Sequence, residues 1–395
     1  MAMNKLNKTI PEGTRDLIFA EAELYDSISS TFAKIYSASG FKKIDTPAVE
    51  NYDLIESVNR SISQESLYKL NDNTGHLLVI RPDNTTPIAR VVATKLRSAE
   101  LPLKIYYNQN IYRINGDYSG KRNEILQSGI ELVGATGLKA DLLCIVTALD
   151  ALRSQKLKCK LEIGHVGYFN ALLNELKIDE DEAETVRSFV EAKNFVSLNM
   201  LDKNLQIEKI RRLPLLFGGE EVFDEAYQLA ENNAKAIEAL EYVKKLYRML
   251  VFAGYGDYIM VDMGIVHKFD YYTGTVFRGY VENAGEPVLK GGRYDRLLSA
   301  FDYDVPATGF AINVCAVADA LISKSRLPAT CHSDFIIYYD DATFDAAIKL
   351  KNEYQKDGNI CELSAFETLE ETNNYAKIMN INKVIDLTHS SEETK

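Results

Sequence analysis

The 395 residues suffice for one to three domains with a sizeable core, and 46% hydrophobic with 26% charged residues is the composition of a globular chain. A formal net charge of −12 argues against a chain-wide basic surface for nucleic acid. Five scattered cysteines without a CxxC pair, no long apolar run and a polar opening, MAMNKLNKTIPEGTRD, argue against structural zinc, a disulfide framework, a membrane span and a secretory leader, so a cytoplasmic location is expected.

EAELYDSISSTFAKIYSASG (21–40) carries apolar residues at helical spacing, which predicts a helix capped at Gly40. HLLVIRP (76–82) reads as a strand stopped by Pro82. LKIYYNQNIYRI (103–114) and NEILQSGIELVG (123–134) read as strands joined by NGDYSGKR, a long hairpin. Residues 168–255 turn rich in Glu, Lys, Leu and Ala, which predicts a helical insertion. Strand signals return at 258–266, 274–281 and 307–314. From about 333, SDFIIYYD (strand), ATFDAAIKLKNEYQKDG (helix ending on Gly358) and NKVIDL (strand) form a small βαβ-type unit, with 322–333 as linker. The expectation is an α+β core over 1–325 followed by a small α/β unit over 333–395.

Three segments hold residues suited to binding. On a strand, Gln127, Gly129 and Glu131 share a face, opposite Leu126, Ser128, Ile130 and Leu132. An amide, a bare backbone and a carboxylate could read an ammonium or an imidazole. On pattern alone they read more readily as a solvated face, although a strand glycine often marks close approach of a ligand or of another backbone. In RPDNTTPIAR (81–90), Asp83 could receive an amine and Thr85 donate to a carboxylate, or Asp83 could cap a helix that begins near Pro87. In VHKFDYYTGTVF (266–277), Tyr271 and Tyr272 could grip a small ring or pack inside with their hydroxyls satisfied. The five histidines show no metal-binding spacing, and no phosphate-loop, dinucleotide or serine-hydrolase motif occurs, so neither a metal nor a cofactor is expected.

In this order the segments resemble the catalytic core of histidyl-tRNA synthetases, a branch of the class II aminoacyl-tRNA synthetase fold. PEGTRD (11–16), RPDNTTPIAR, the hairpin YRINGDYSGKRNEILQSGIELVG (112–134), VHKFDYYTGTVF and GGRYDRLL (291–298) carry the resemblance, over about residues 8–325. It implies an antiparallel sheet core and a histidine pocket. There Asp83 faces the α-amino group and Glu131 the imidazole. Thr85, Arg113 and Gln127 line the amino acid, and Tyr271, Tyr272 and Tyr294 cage the ring.

The departures from the family are equally specific. Its Arg-Gly-Leu-Asp-Tyr-Tyr is here His267-Lys268-Phe269-Asp270-Tyr271-Tyr272, its Arg-x-Glu is Arg113-Ile114-Asn115, and Ala316 stands where an ATP-clamping arginine belongs. A histidine cannot replace the permanent, forked guanidinium that holds charge developing on a phosphate. The tail is short and partly acidic where synthetases carry an anticodon-binding domain. A synthetase-like chain altered in this way resembles the regulatory subunits of ATP phosphoribosyltransferase, a glycosyltransferase complex. That resemblance implies no catalytic residue of its own, L-histidine as feedback effector and a short-form catalytic subunit as partner in the first step of histidine biosynthesis. It also implies a homodimeric core within a hetero-octamer, and no tRNA. An active synthetase or related ligase, and an assembly factor with a relic pocket, are the alternatives.

Overall fold

Helix α1 (Ala20–Ala38) buries Leu24, Tyr25, Ile28, Phe32 and Tyr36, one face at helical spacing. Gly40 follows at φ 84°, a left-handed conformation that glycine adopts without strain. The structure, a computed structural model, describes residues 8–58, 62–116, 120–201, 207–265, 272–327 and 332–388. The chain separates into two compact units, Met1–Leu327 and Pro328–Lys395.

After α1 the first unit continues with β1 (Lys42–Lys43), β2 (Val49–Asn51), α2 (Tyr52–Val58), β3 (Lys69–Asn71), β4 (Leu77–Ile80), α3 (Thr85–Thr94), β5 (Leu103–Tyr112), β6 (Glu124–Val133), α4 (Gly137–Ser154) and β7 (Cys159–His165). A helical stretch follows: α5 (Val166–Leu173), α6 (Glu180–Glu191), α7 (Phe195–Met200), α8 (Glu208–Arg212), then short β8 (Phe217–Gly218), α9 (Val222–Ala230) and α10 (Ala234–Leu250). The unit closes with β9 (Ile259–Asp262), β10 (Thr275–Val281), β11 (Leu289–Arg293), β12 (Ala307–Asn313) and α11 (Val314–Ile322).

Nine strands form one sheet in the order β1-β5-β6-β12-β11-β10-β7-β9-β8. Its centre, β5 through β7, is antiparallel; parallel pairs occur only at β1–β5 and β7–β9. In β6, Ile130 and Leu132 join the core built on α1, α4 and α11. Burying such side chains contributes about 1.5–3 kcal/mol each. On the opposite face, Ile88, Ala89 and Val92 of α3 pack on Ile105, Tyr107, Val133 and Ala307. The insertion helices share the main core, since Leu240, Val243 and Leu246 cluster with Leu161 and Ile163 of the sheet.

Strand β11 is invisible in the strand signals because it reads LKGGR. Its glycines answer a space requirement. A Cβ on Gly291 would lie 2.5 Å from the Phe277 ring, and one on Gly292 would lie 2.8 Å from the Tyr272 ring.

The second unit contains β13 (Phe335–Tyr338), α12 (Phe344–Lys356), β14 (Cys361–Leu363), α13 (Leu369–Met379) and β15 (Lys383–Asp386). Its three strands are parallel, in the order β14-β13-β15. It is thus βαβαβ; β14 spans three residues, too short for a periodic signal. Among the described residues, no helix is long and apolar enough to cross a membrane, and no group of acidic, histidine or cysteine side chains is arranged to hold a metal ion.

Candidate functional site

Glu131 sits where β5, β6 and β12 run side by side, paired with Ile105 on one strand and Gly309 on the other. Its side chain is on the α3 face of the sheet, and the residue is 2% exposed. Thr85, the first residue of α3, donates its hydroxyl to Oε1 at 2.8 Å, and Tyr294, just past β11, donates to Oε2. Burial is the main cause that raises the Glu131 carboxyl to about 8, with the nearby Asp83 charge adding to it; the bonds from Tyr294 and Thr85 pull the other way. At neutral pH this favours the neutral acid form of Glu131. Gly309 makes room for it: a Cβ there would lie 2.0 Å from Glu131 Oε2.

A cavity of about 460 Å³ opens from this carboxyl. Asp83, Thr85, Arg113, Gln127, Glu131, Tyr272 and Tyr294 all line it. Four separate segments of the sequence thereby converge on one space. Tyr271 and His267 lie outside the described residues. Asp83 is engaged in capping: Oδ1 accepts the Thr86 backbone N–H at 2.6 Å and Oδ2 the Thr86 hydroxyl at 3.1 Å. An aspartate can cap α3 and still face the cavity, because an ionised carboxylate accepts several hydrogen bonds. The amide of Gln127 is held from behind by Asn84, whose Nδ2 lies 3.2 Å from Gln127 Oε1 and 3.3 Å from the Gln109 carbonyl. The close approach at Gly129 is by neighbours, since a Cβ there would lie 2.2 Å from the Phe310 carbonyl and 2.6 Å from the Tyr107 hydroxyl.

Outward from Glu131 the same cavity is lined by Asn115, Lys121, Arg122, Glu286, Lys290, Asn313, Ala316 and Asp319. Arg113 Nε donates to the Pro82 carbonyl at 2.7 Å, which ties the β5–β6 hairpin to the loop before α3. Ala316 brings no cation to this half. Sequence reasoning missed Asn84, Gly309, Arg122 and Asp319 as lining residues. Asp319 had a signal, because it stands three residues after Ala316 on one helix and so shares its face.

A second buried polar cluster supports the site from behind. Asp141 of α4, fully buried, accepts from Arg293 Nη2 at 2.6 Å, from Tyr242 of α10 at 2.8 Å and from Thr275 of β10 at 2.8 Å. Arg293 precedes Tyr294, so this cluster fixes the end of β11 from which Tyr294 reaches Glu131. Beside it, His165 caps α5 by accepting the Gly167 N–H on Nδ1 at 3.0 Å, and burial lowers its imidazole to about 4.

A sheet of this order with a buried carboxyl, an amide, an aspartate and tyrosines on one face defines a histidyl-tRNA synthetase-like core of class II type. Residues 13–317 match the family model described as histidyl-tRNA synthetase. A solved histidyl-tRNA synthetase from a Nostoc species, 19% identical, superposes with a TM-score of 0.78 over 95% of this chain and 90% of that one, a likeness of fold. A curated relative from Clostridium acetobutylicum, named ATP phosphoribosyltransferase regulatory subunit, is 41% identical over 392 residues, 97% of this chain and 96% of that protein. A solved structure from Bacillus halodurans, described as an ATP phosphoribosyltransferase regulatory subunit/histidyl-tRNA synthetase, has a TM-score of 0.85 at 32% identity, covering 97% of this chain and 99% of that one. The chain belongs to the ATP phosphoribosyltransferase regulatory subunit family, whose synthetase-like core serves a regulatory rather than a catalytic role.

Proposed function

We propose that this chain is the histidine-sensing subunit of an ATP phosphoribosyltransferase. It assembles with a short-form catalytic subunit, supports the first step of histidine biosynthesis and carries feedback inhibition by L-histidine. Its core is a homodimer within a hetero-octamer, it binds no tRNA, and it works in the cytoplasm. The carrying observation is the buried Glu131 carboxyl, held by Thr85 and Tyr294 at the end of a cavity that Asp83, Gln127 and Tyr272 also line.

The ligand's imidazole meets Glu131 between the rings of Tyr272 and Tyr294. Its ammonium faces Asp83, and its carboxylate turns toward Arg113 and Gln127. Glu131 can share its proton with the ring in a hydrogen bond, so the pair forms without a bare charge being buried first. Nothing is transformed. Histidine must bind one state of the complex better than the other, and coupling of about 1–3 kcal/mol is typical of such linkage.

The test is phosphoribosyl-ATP formation by the short catalytic subunit with and without this chain, then with L-histidine. We expect activity and histidine inhibition both to require the chain, and E131A to relieve inhibition while leaving activation. No effect of the chain on either would overturn the reading. Histidine-dependent ATP–pyrophosphate exchange by the chain alone would instead mark a synthetase. Inhibition untouched by D83A and E131A would mark a relic pocket.

A further inference from the structure

We propose that Asp319, seconded by Glu286, is a selectivity residue that keeps nucleotide phosphates out of the outer half of the cavity. This deepens the histidine-sensing reading and rests on it.

The outer half contains what a polyphosphate site uses. Lys121, Arg122 and Lys290 line it, and α11 begins at its wall with Asn313 and Ala316. Guanidinium groups, ammonium groups and a helix N-terminus are the usual partners of phosphate oxygens. Here most of them are engaged from within the protein. Arg122 Nη2 lies 2.6 Å from Asp319 Oδ1, and its Nη1 lies 2.9 Å from the Tyr25 hydroxyl. The two terminal nitrogens that would make a bidentate phosphate contact thus face side chains of α11 and α1. Lys121 Nζ lies 2.9 Å from Glu286 Oε1. At the helix terminus, the Ala316 N–H is taken by Asn313 Oδ1 at 3.1 Å.

The placement of Asp319 matters more than its ion pairs, with Arg122 at 2.6 Å and with Arg15 at 4.0 Å. Ala316 and Asp319 lie on the cavity-lining face of α11, so the helix offers a methyl group and a carboxylate where a phosphate would lie. A triphosphate entering this half would meet Asp319 and Glu286 head-on and would have to strip Arg122 from its partner. A single carboxylate, such as that of an amino acid seated against Glu131, needs only the inner cation Arg113. The same wall therefore accepts an amino acid and refuses a nucleotide. On the proposed function this separation is needed, because the complex consumes ATP and a sensor that also bound ATP would not follow free histidine.

The measurement is equilibrium binding of ATP, by calorimetry, to the full chain without any catalytic subunit. Wild type is compared with D319N, D319A and the double variant D319N/E286Q; Asn is nearly isosteric and can still accept from Arg122, while Ala removes that arginine's carboxylate partner and leaves its contact with Tyr25. Thermal unfolding checks that each variant is folded. We expect no saturable ATP binding in wild type and a tightening of roughly tenfold or more per charge removed, the effect of one unit charge at contact distance in a partly solvated site. L-histidine affinity should be unchanged. Equal ATP affinity, or equal absence of binding, in wild type and all folded variants would overturn the proposal. Failure of wild type to bind L-histidine would overturn the histidine reading alone, and the ATP comparison would still decide the role of Asp319.

Discussion

Thr85 and Glu131, 46 residues apart in sequence, meet through a 2.8 Å hydrogen bond that joins the start of α3 to the centre of the sheet. Tyr294 closes the other oxygen of the same carboxyl. Both partners donate, which favours the ionised carboxylate, while burial favours the neutral acid, and this opposition lets Glu131 change its protonation when a ligand arrives.

Removal of this carboxyl should cost affinity for L-histidine without loss of fold. A hydrogen bond to a charged group contributes about 1.5–3 kcal/mol, so E131Q should weaken binding by roughly 10- to 150-fold and E131A by more. Calorimetric titration of the isolated chain reads this directly. Unchanged affinity in E131Q would remove Glu131 from the binding site.

Histidine binding should have a pH optimum set by two groups. Burial keeps Glu131 protonated up to about 8, and free imidazole changes charge near 6.5. Between these values a neutral acid meets a neutral ring and the pair forms with no net proton exchange. Below about 6.5 the ring arrives charged and Glu131 must release a proton, so affinity falls as pH falls. Above about 8 Glu131 is already ionised and a proton must be taken up, so affinity falls as pH rises. Titrations across this range should give a plateau between the two, and E131Q should lose the alkaline limb. An optimum near pH 5.5 would show a carboxyl that is not raised.

Gly309 should tolerate no side chain. A Cβ there would lie 2.0 Å from Glu131 Oε2 and 2.4 Å from the Ile130 carbonyl. G309A should displace the Glu131 side chain and abolish histidine binding, with a cost of about 1–3 kcal/mol from overpacking. Denaturant unfolding and ligand titration on the same sample separate the two effects.

The Arg293–Asp141 pair should be the most sensitive point of the core. Asp141 is fully buried and Arg293 is 7% exposed. R293A leaves the buried Asp141 without its ion-pair partner and should cost about 3–5 kcal/mol in urea unfolding, whereas D141A should cost less, because Asp295 still faces Arg293 at 3.1 Å. Y242F removes one hydrogen bond and should cost about 1 kcal/mol.

Much of this was legible in the residues themselves. Gln127, Gly129 and Glu131 had to share a face because a strand has a period of two. The helix at 20–38 and the central hairpin announced themselves through periodicity and turn chemistry. LKGGR did not announce a strand, because its glycines answer to Phe277 and Tyr272 across the sheet, and no local propensity encodes a neighbour's ring. In sequence Asp83 read more readily as a helix cap than as a binding residue; in the structure it caps α3 at the cavity wall.

By itself the sequence determined the order of its segments and which side chains could hold an imidazole and an ammonium, because these follow from side-chain chemistry and short-range periodicity, and the class of fold followed from its resemblance to histidyl-tRNA synthetases. Only the tertiary structure decided that Thr85, Glu131 and Tyr294 share one buried carboxyl, and that Arg122 is held by Asp319. Those pairings span 46, 163 and 197 residues, and they are set by strand register and helix packing across the sheet. The protonation of Glu131 belongs with them, since it depends on exclusion of water, which no isolated segment can produce.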